Sequence, residues 1–210
     1  MSRLIVFLIF FSISTIQCKG QVKPSENEKV VGGPCEGCEA IFETSFDLLT
    51  PVDTLPGHSE YVPQLELTGT VYKTDSKTPA MNVVVYIYHT DQNGIYFAEH
   101  EASDWGKRHG KYRGWIKTDK NGKYTFHTFM PAAYPERKVP NHIHLTVKEP
   151  GYSAYYIDEI IFNDDPLLSS AEKNSRPDRG GSGLVYPRSI DGKIIITRDI
   201  ILGYNIPDYE

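Results

Sequence analysis

The stretch Val83-Val84-Val85-Tyr86-Ile87-Tyr88 decides the fold. Branched and aromatic side chains of this kind favour an extended backbone, and in a strand successive residues point to opposite faces. Both faces here are apolar, so the strand is expected deep inside a two-layer stack and not at a sheet edge. Working outward, this strand extends over 82–89, and further strand signals recur at 65–72, 114–118, 123–129, 142–148, 155–162, 183–186 and 193–202. No long amphipathic helix, internal repeat or low-complexity tract interrupts them. The expected fold is all-β, a two-layer antiparallel β-sandwich with an irregular N-terminal arm. Asn121-Gly122 and Asp191-Gly192 supply the positive φ angles of tight hairpins and are expected to fix antiparallel pairing on either side.

Within His142-Ile143-His144-Leu145-Thr146-Val147 the two histidines share one face of a strand, and Ile143, Leu145 and Val147 share the other. One face packs and the other is free to coordinate. Paired histidines on a strand are commonly no more than polar residues on a wetted face. Here, however, Tyr134-Pro135 stands just upstream, which brings a phenol and two imidazoles within reach of one metal ion. Phenolates are hard anionic donors that favour Fe(III) and argue against zinc. No Asp or Glu stands where a two-histidine, one-carboxylate Fe(II) site would need it. His89, His100, His109 and His127 lack such a partner and read as structural or exposed. Tyr112 and Trp115, flanking Arg113-Gly114, read either as pocket lining or as packing. The loop from Arg176 to Gly183 precedes no helix start and is not read as a phosphate site.

Met1-Ser2-Arg3 followed by the apolar run from Leu4 to Phe11 reads as a secretory signal peptide over 1–20, too short to span a bilayer. The expected location is therefore outside the cytoplasm, secreted or periplasmic, with Cys18 as an alternative lipid attachment point. The remainder divides into an arm over 21–62, rich in proline and polar residues, and a domain over 63–210. No membrane span is expected beyond the leader. Cys35 and Cys38 are an even pair in an exported chain, most simply a disulfide; a thioredoxin-like redox role would need a strand before and a helix after. The formal charge of −5 and the absence of a Lys/Arg-rich run exclude a nucleic-acid partner. Oligomeric state is not legible.

Four segments occur in a telling order: Asp119-Lys120-Asn121-Gly122-Lys123-Tyr124-Thr125-Phe126, Pro131-Ala132-Ala133-Tyr134-Pro135, Pro140-Asn141-His142-Ile143-His144, and Ile157-Asp158-Glu159-Ile160-Ile161-Phe162-Asn163-Asp164-Asp165-Pro166. Together, over about Leu65 to Pro166, they resemble the intradiol ring-cleavage dioxygenases, the family of catechol, hydroxyquinol and protocatechuate dioxygenases. The resemblance implies a transthyretin-like sandwich and a ferric ion held by two tyrosines and two histidines. Those fall on Tyr96, within Asn93-Gly94-Ile95-Tyr96, and on Tyr134, His142 and His144. It implies that a catecholic diol binds the iron through both oxygens, displacing Tyr134, which then accepts a substrate proton. Dioxygen is the second substrate, the product is a muconate-type diacid, and no organic cofactor is required. Two departures stand out. Val139 occupies the place of the family's substrate-polarising arginine, and Glu159 that of its supporting glutamine. Arg137 or Lys138 is expected to substitute, with Tyr134 and Arg137 as catalytic residues and an Arg137–Glu159 ion pair.

Two competing readings remain at this stage. The segments 69–71, 83–85 and 118–131 also resemble transthyretin-like accessory modules, which bind ligands or act as spacers without catalysis. A zinc hydrolase built on His142 and His144 is a third reading, and it lacks an obvious third ligand with a paired general base.

Overall fold

The computed structural model describes residues 27–210; the leader, Cys18 and the first residues of the arm lie outside the described residues. In chain order the elements are β1 (Val52–Thr54), β2 (Gln64–Tyr72), β3 (Val84–Tyr88), α1 (Asp104–His109), β4 (Arg113–Lys117), β5 (Lys123–Phe129), β6 (His142–Lys148), β7 (Tyr155–Phe162), α2 (Ser170–Asn174), β8 (Leu184–Val185), β9 (Arg188–Ile190), β10 (Lys193–Thr197) and β11 (Ile200–Ile201). They form two sheets. One runs β1-β5-β2-β10-β9, with β11 also on β2, and the other runs β4-β3-β6-β7-β8. The all-β reading is borne out, but both sheets are mixed. β1 on β5, β10 and β11 on β2, and β8 on β7 are all parallel pairs. Side-chain alternation reports which face a residue takes and carries no signal of strand direction, so these pairs were not legible.

Alternation fills the space between the sheets as expected. Leu65, Leu67 and Val71 of β2 meet Val85 and Ile87 of β3, and Ile143, Leu145 and Val147 of β6, all essentially inaccessible to solvent. β3 is an inner strand, paired with β4 on one side and β6 on the other. Its second apolar face has its own cover: Val84 and Tyr86 pack beneath Ala40 and Ile41, which a 3-10 helix over Cys38–Glu43 lays on the sheet. The N-terminal segment therefore wraps the outer face of the second sheet, and it also adds β1 to the first. Cys35 and Cys38 form a disulfide at the start of that cover.

The two marked turns behave differently. Asp191 and Gly192 both take positive φ (49° and 77°) and join β9 to β10 in an antiparallel hairpin, with Lys193 opposite Ile190. Asn121-Gly122 also forms a tight turn, in which Asp119 Oδ1 accepts from the amides of Asn121 and Lys123 (both 2.8 Å). That turn is not a hairpin: β4 belongs to one sheet and β5 to the other. The expected antiparallel pairing across it is corrected accordingly. The turn residues set the local reversal, while the partner of β5 is chosen by burial of Tyr124, Phe126 and Phe129 against the long strand β2.

His89, at the end of β3, is fully buried between the Thr90 carbonyl and Thr128 Oγ1, each 2.7 Å from a ring nitrogen. Burial holds its imidazole down at about 4. Between the ordinary value of about 6.5 and 4, the unfolded chain binds a proton that the folded chain does not. Stability is therefore present above pH 6.5 and is lost as pH falls toward 4, by about 3 kcal/mol from this residue. Urea unfolding at pH 7 and pH 5 measures it. A His89→Gln variant should lose that part of the pH slope, and an unchanged slope would remove the assignment.

Candidate metal centre and pocket

The expected site residues come from three segments. His142 and His144 lie on the outer face of β6, opposite the core-facing Ile143 and Leu145. Tyr96 sits on the loop after β3 and Tyr134 on the loop after β5. These loops are stitched together. Asp91 Oδ1 accepts from the amides of Asn93 and Ile95 (2.8 and 2.9 Å), the Ala132 amide donates to the Asp91 carbonyl (3.1 Å), and Thr90 Oγ1 donates to the Ala132 carbonyl (2.7 Å). Gly94 makes the approach feasible, because its φ is +76° and a Cβ there would lie 2.0 Å from the Ala133 carbonyl oxygen. Gly94→Ala should therefore push the two tyrosine loops apart and lower kcat/KM at least about tenfold, since a displacement of about 1 Å at reacting groups costs up to about a hundredfold. Steady-state kinetics on the folded variant checks this, and wild-type kinetics would sink it.

The four side chains meet at their polar atoms. Tyr96 Oη is 2.7 Å from Tyr134 Oη and 2.9 Å from His144 Nε2, and Tyr134 Oη is 3.1 Å from His142 Nε2. His142 Nδ1 lies 2.8 Å from the Pro140 carbonyl, which can only accept, so that ring nitrogen carries the proton. His144 Nδ1 lies 3.6 Å from a Glu159 oxygen, beyond hydrogen-bond reach. Both Nε2 atoms face the cluster, against Tyr134 Oη and Tyr96 Oη. Burial, with His142 and His109 nearby, holds the His144 imidazole down at about 3, so it is neutral. Burial beside Tyr134, Tyr88 and Glu159 raises the Tyr96 phenol above its ordinary value.

Three neighbours were not singled out by sequence. Tyr88 lies opposite His144 in the β3–β6 pairing, and its ring is sandwiched between His144 (4.5 Å) and His109 (3.8 Å, interplanar angle 3°). His109, read as structural or exposed, is buried on α1 and hydrogen-bonds to Tyr86 Oη at 2.9 Å. Gly37 of the disulfide loop presses on it: a Cβ there would be 2.9 Å from His109 Nε2. Period-two alternation on β3 puts Tyr86 and Tyr88 on the histidine face, a signal that was available; nothing local to 104–109 announces His109.

Arg137 and Glu159 do not pair. Arg137 is exposed, its guanidinium 5.7 Å from the Tyr134 ring, whereas Glu159 faces His144. The cause is an irregularity in the β6–β7 register: between the pairs Ile143–Ile160 and Leu145–Ile157, Asp158 and Glu159 together face the single residue His144. Such a bulge re-aims a side chain, and here it turns Glu159 toward the imidazole. Tyr112 is buried against Phe129 and Tyr61, and Trp115 packs at a tilt on Tyr86 (4.8 Å, 34°), so both pack and neither lines the cluster. Among the described residues no group of three His, Cys, Asp or Glu side chains is placed to hold a metal ion.

Beside the cluster a cavity of about 180 Å³ opens between the outer face of β6–β7 and the disulfide loop. Cys35, Glu36 and Gly37 form one wall, and Tyr88, His144 and Glu159 belong to the other.

The sequence model of the family described as Dioxygenase matches residues 50–179, more than half of the chain. A chlorocatechol 1,2-dioxygenase of Pseudomonas sp. (strain P51) is 26% identical over 147 residues, 61% of this chain and 53% of that protein. The chain thus spans about half the length of that curated relative. Among solved structures, the dioxygenase domain of a dioxygenase carbohydrate-binding protein fusion from Streptomyces sp. SirexAA-E matches with TM-score 0.57 and 23% identity, over 73% of this chain and 88% of that one. The 3-chlorocatechol 1,2-dioxygenase of Rhodococcus opacus 1CP matches with TM-score 0.55 and 20% identity, over 71% of this chain and 62% of that one. These structures share the fold, and the family match extends the likeness to sequence across both tyrosine loops and β6: the chain belongs to the intradiol dioxygenase family.

Proposed function

We propose that the protein is a non-haem Fe(III)-dependent dioxygenase that cleaves catecholic rings between the two hydroxyl-bearing carbons, giving muconate-type diacids with both atoms of dioxygen incorporated. The observation that carries this is the convergence of two phenol oxygens and two imidazole Nε2 atoms, in contacts of 2.7, 2.9 and 3.1 Å. That donor set fits a hard, highly charged cation, toward which the two phenols would lose their protons and all four atoms would serve as donors. Tyr96, Tyr134, His142 and His144 would hold the iron, which when bound draws electron density from a bound catecholate and opens its ring to dioxygen. A non-catalytic module has no need of this convergence.

The chain's own groups do the rest. His142 is aimed by the Pro140 carbonyl, and His144 lies beside the Glu159 carboxylate. Tyr96 is fixed by the Asp91 turn and packs against Tyr88. Tyr134 rides on a loop whose following residues, Pro135 to Val139, are exposed. It is therefore the residue of the four that would be free to turn toward substrate, where its oxygen would take a proton from a substrate hydroxyl as general base. Arg137, exposed and 5.7 Å from the Tyr134 ring, would bring positive charge to the rim of the site and not to the cavity wall. We place the enzyme outside the cytoplasm, on the signal-like residues 1–20 and on the Cys35–Cys38 disulfide, a bond that persists in oxidising compartments.

The test is the visible spectrum and metal content of the purified protein, before and after catechol is added under nitrogen. A phenolate-to-iron charge-transfer band that shifts with catechol supports the assignment. A protein that stays colourless after ferric reconstitution overturns it.

A further inference from the structure

We propose that the cavity beside the cluster selects catechols whose ring substituent is neutral or cationic, and rejects those bearing a carboxylate. This rests on the dioxygenase reading and specifies its substrate class. The cavity is small, about 180 Å³, so a substituent on a catechol ring meets the wall. That wall carries two carboxylates, Glu36 on the disulfide loop and Glu159 on β7. Glu36 is neutralised by Arg108, with which it forms an ion pair. The Glu159 carboxylate lies 3.6 Å from His144 Nδ1, forms no ion pair with a lysine or arginine among the described residues, and its side chain is 45% exposed. Among the described residues no lysine or arginine lines the cavity. Two arginines lie behind the lining: Arg176 Nη2 donates to the Glu159 backbone carbonyl (3.0 Å) and sits 3.6 Å from the Asp158 carboxylate, and Arg179 stacks 3.8 Å from the Tyr156 ring, its Nε and Nη2 donating to the carbonyl oxygens of Tyr156 and Gly32. Arg137 and Lys138 sit on the exposed Tyr134 loop, outside the lining.

The wall is also rigid. The Cys35–Cys38 disulfide closes the loop, Gly37 is wedged against His109, and His109 stacks on Tyr88. A substituent therefore cannot swing the loop away to escape the Glu159 charge. An ammonium group gains from that charge, while a carboxylate is repelled by it and finds no counter-ion.

A matched pair of substrates tests this: 3,4-dihydroxyphenethylamine and 3,4-dihydroxyphenylacetate, with unsubstituted catechol as reference. The wild-type protein should favour the amine over the acid by about tenfold or more in kcat/KM, the size of one partly screened charge contact. Added salt should narrow the ratio. Glu159→Gln, which keeps the shape and removes the charge, should reduce the ratio about tenfold; Glu36→Gln should reduce it less, because Arg108 already offsets that charge. Taking the ratio on each variant cancels differences in iron loading. Equal use of amine and acid by a wild-type protein that turns over catechol would overturn the selectivity and leave the dioxygenase reading standing, as would a ratio unmoved by Glu159→Gln. Failure to turn over catechol itself would remove both.

Discussion

His144→Ala should leave a folded protein with no iron and no colour. The alanine removes one of the two neutral donors, and its Nε2 is the only nitrogen within hydrogen-bond distance of Tyr96 Oη in the cluster. It also removes the ring that stacks on Tyr88, so Tyr96 and Tyr88 lose a common support. Loss of a group that merely orients a ligand costs about 10- to 100-fold in metal affinity, and loss of the ligand itself costs more. Bound iron should fall below about a tenth of an equivalent, and ring cleavage by at least about a thousandfold, or about 4 kcal/mol of barrier. The fold should survive, because the side chain lies on the outer face of β6, away from the core between the sheets. Metal analysis with a thermal melt on the same sample decides it. A variant that keeps its full iron complement would show that the four side chains meet for another reason.

Ile41→Ala should have the largest effect on stability. Ile41 is fully buried, outside the strands, in the 3-10 turn that covers Val84 and Tyr86. Truncating such a side chain leaves a cavity that the surrounding sheet cannot close, at a cost of about 2–4 kcal/mol. For a chain of this size that is about 5–10 °C in Tm. The same turn carries Cys38 and anchors the loop that walls the cavity, so KM should rise in the variant while kcat changes less. Calorimetry and steady-state kinetics together test it. A melting point within 1 °C of wild type would mean that the N-terminal cover contributes nothing to the fold.

Much of this was legible in the chain itself. Val83 to Tyr88 announced an inner strand because both of its faces are apolar, and the histidine face of β6 followed from alternation alone. The Asp191-Gly192 hairpin was legible because its backbone requirement is local. The Asn121-Gly122 turn was legible as a turn, yet its neighbours went to different sheets, since pairing is decided by which long strand can bury them. The Arg137–Glu159 pair failed for a related reason: a register irregularity between β6 and β7 redirected Glu159 to His144, and register is a property of two strands together.

The sequence by itself determined the strand-rich fold, the shared face of His142 and His144, the disulfide-forming pair Cys35 and Cys38, and the order of motifs that marks the family. All of these depend on interactions over a few residues, or on patterns that repeat along the chain. Only the tertiary structure decided that Tyr96 and Tyr134 meet through the close packing of Gly94 on Ala133, that His109 and Tyr88 brace His144, and that the disulfide loop walls the cavity. Those contacts join residues far apart in sequence, and what brings them together is burial of the outer face of β3 beneath Ile41, a long-range packing choice that no local pattern encodes.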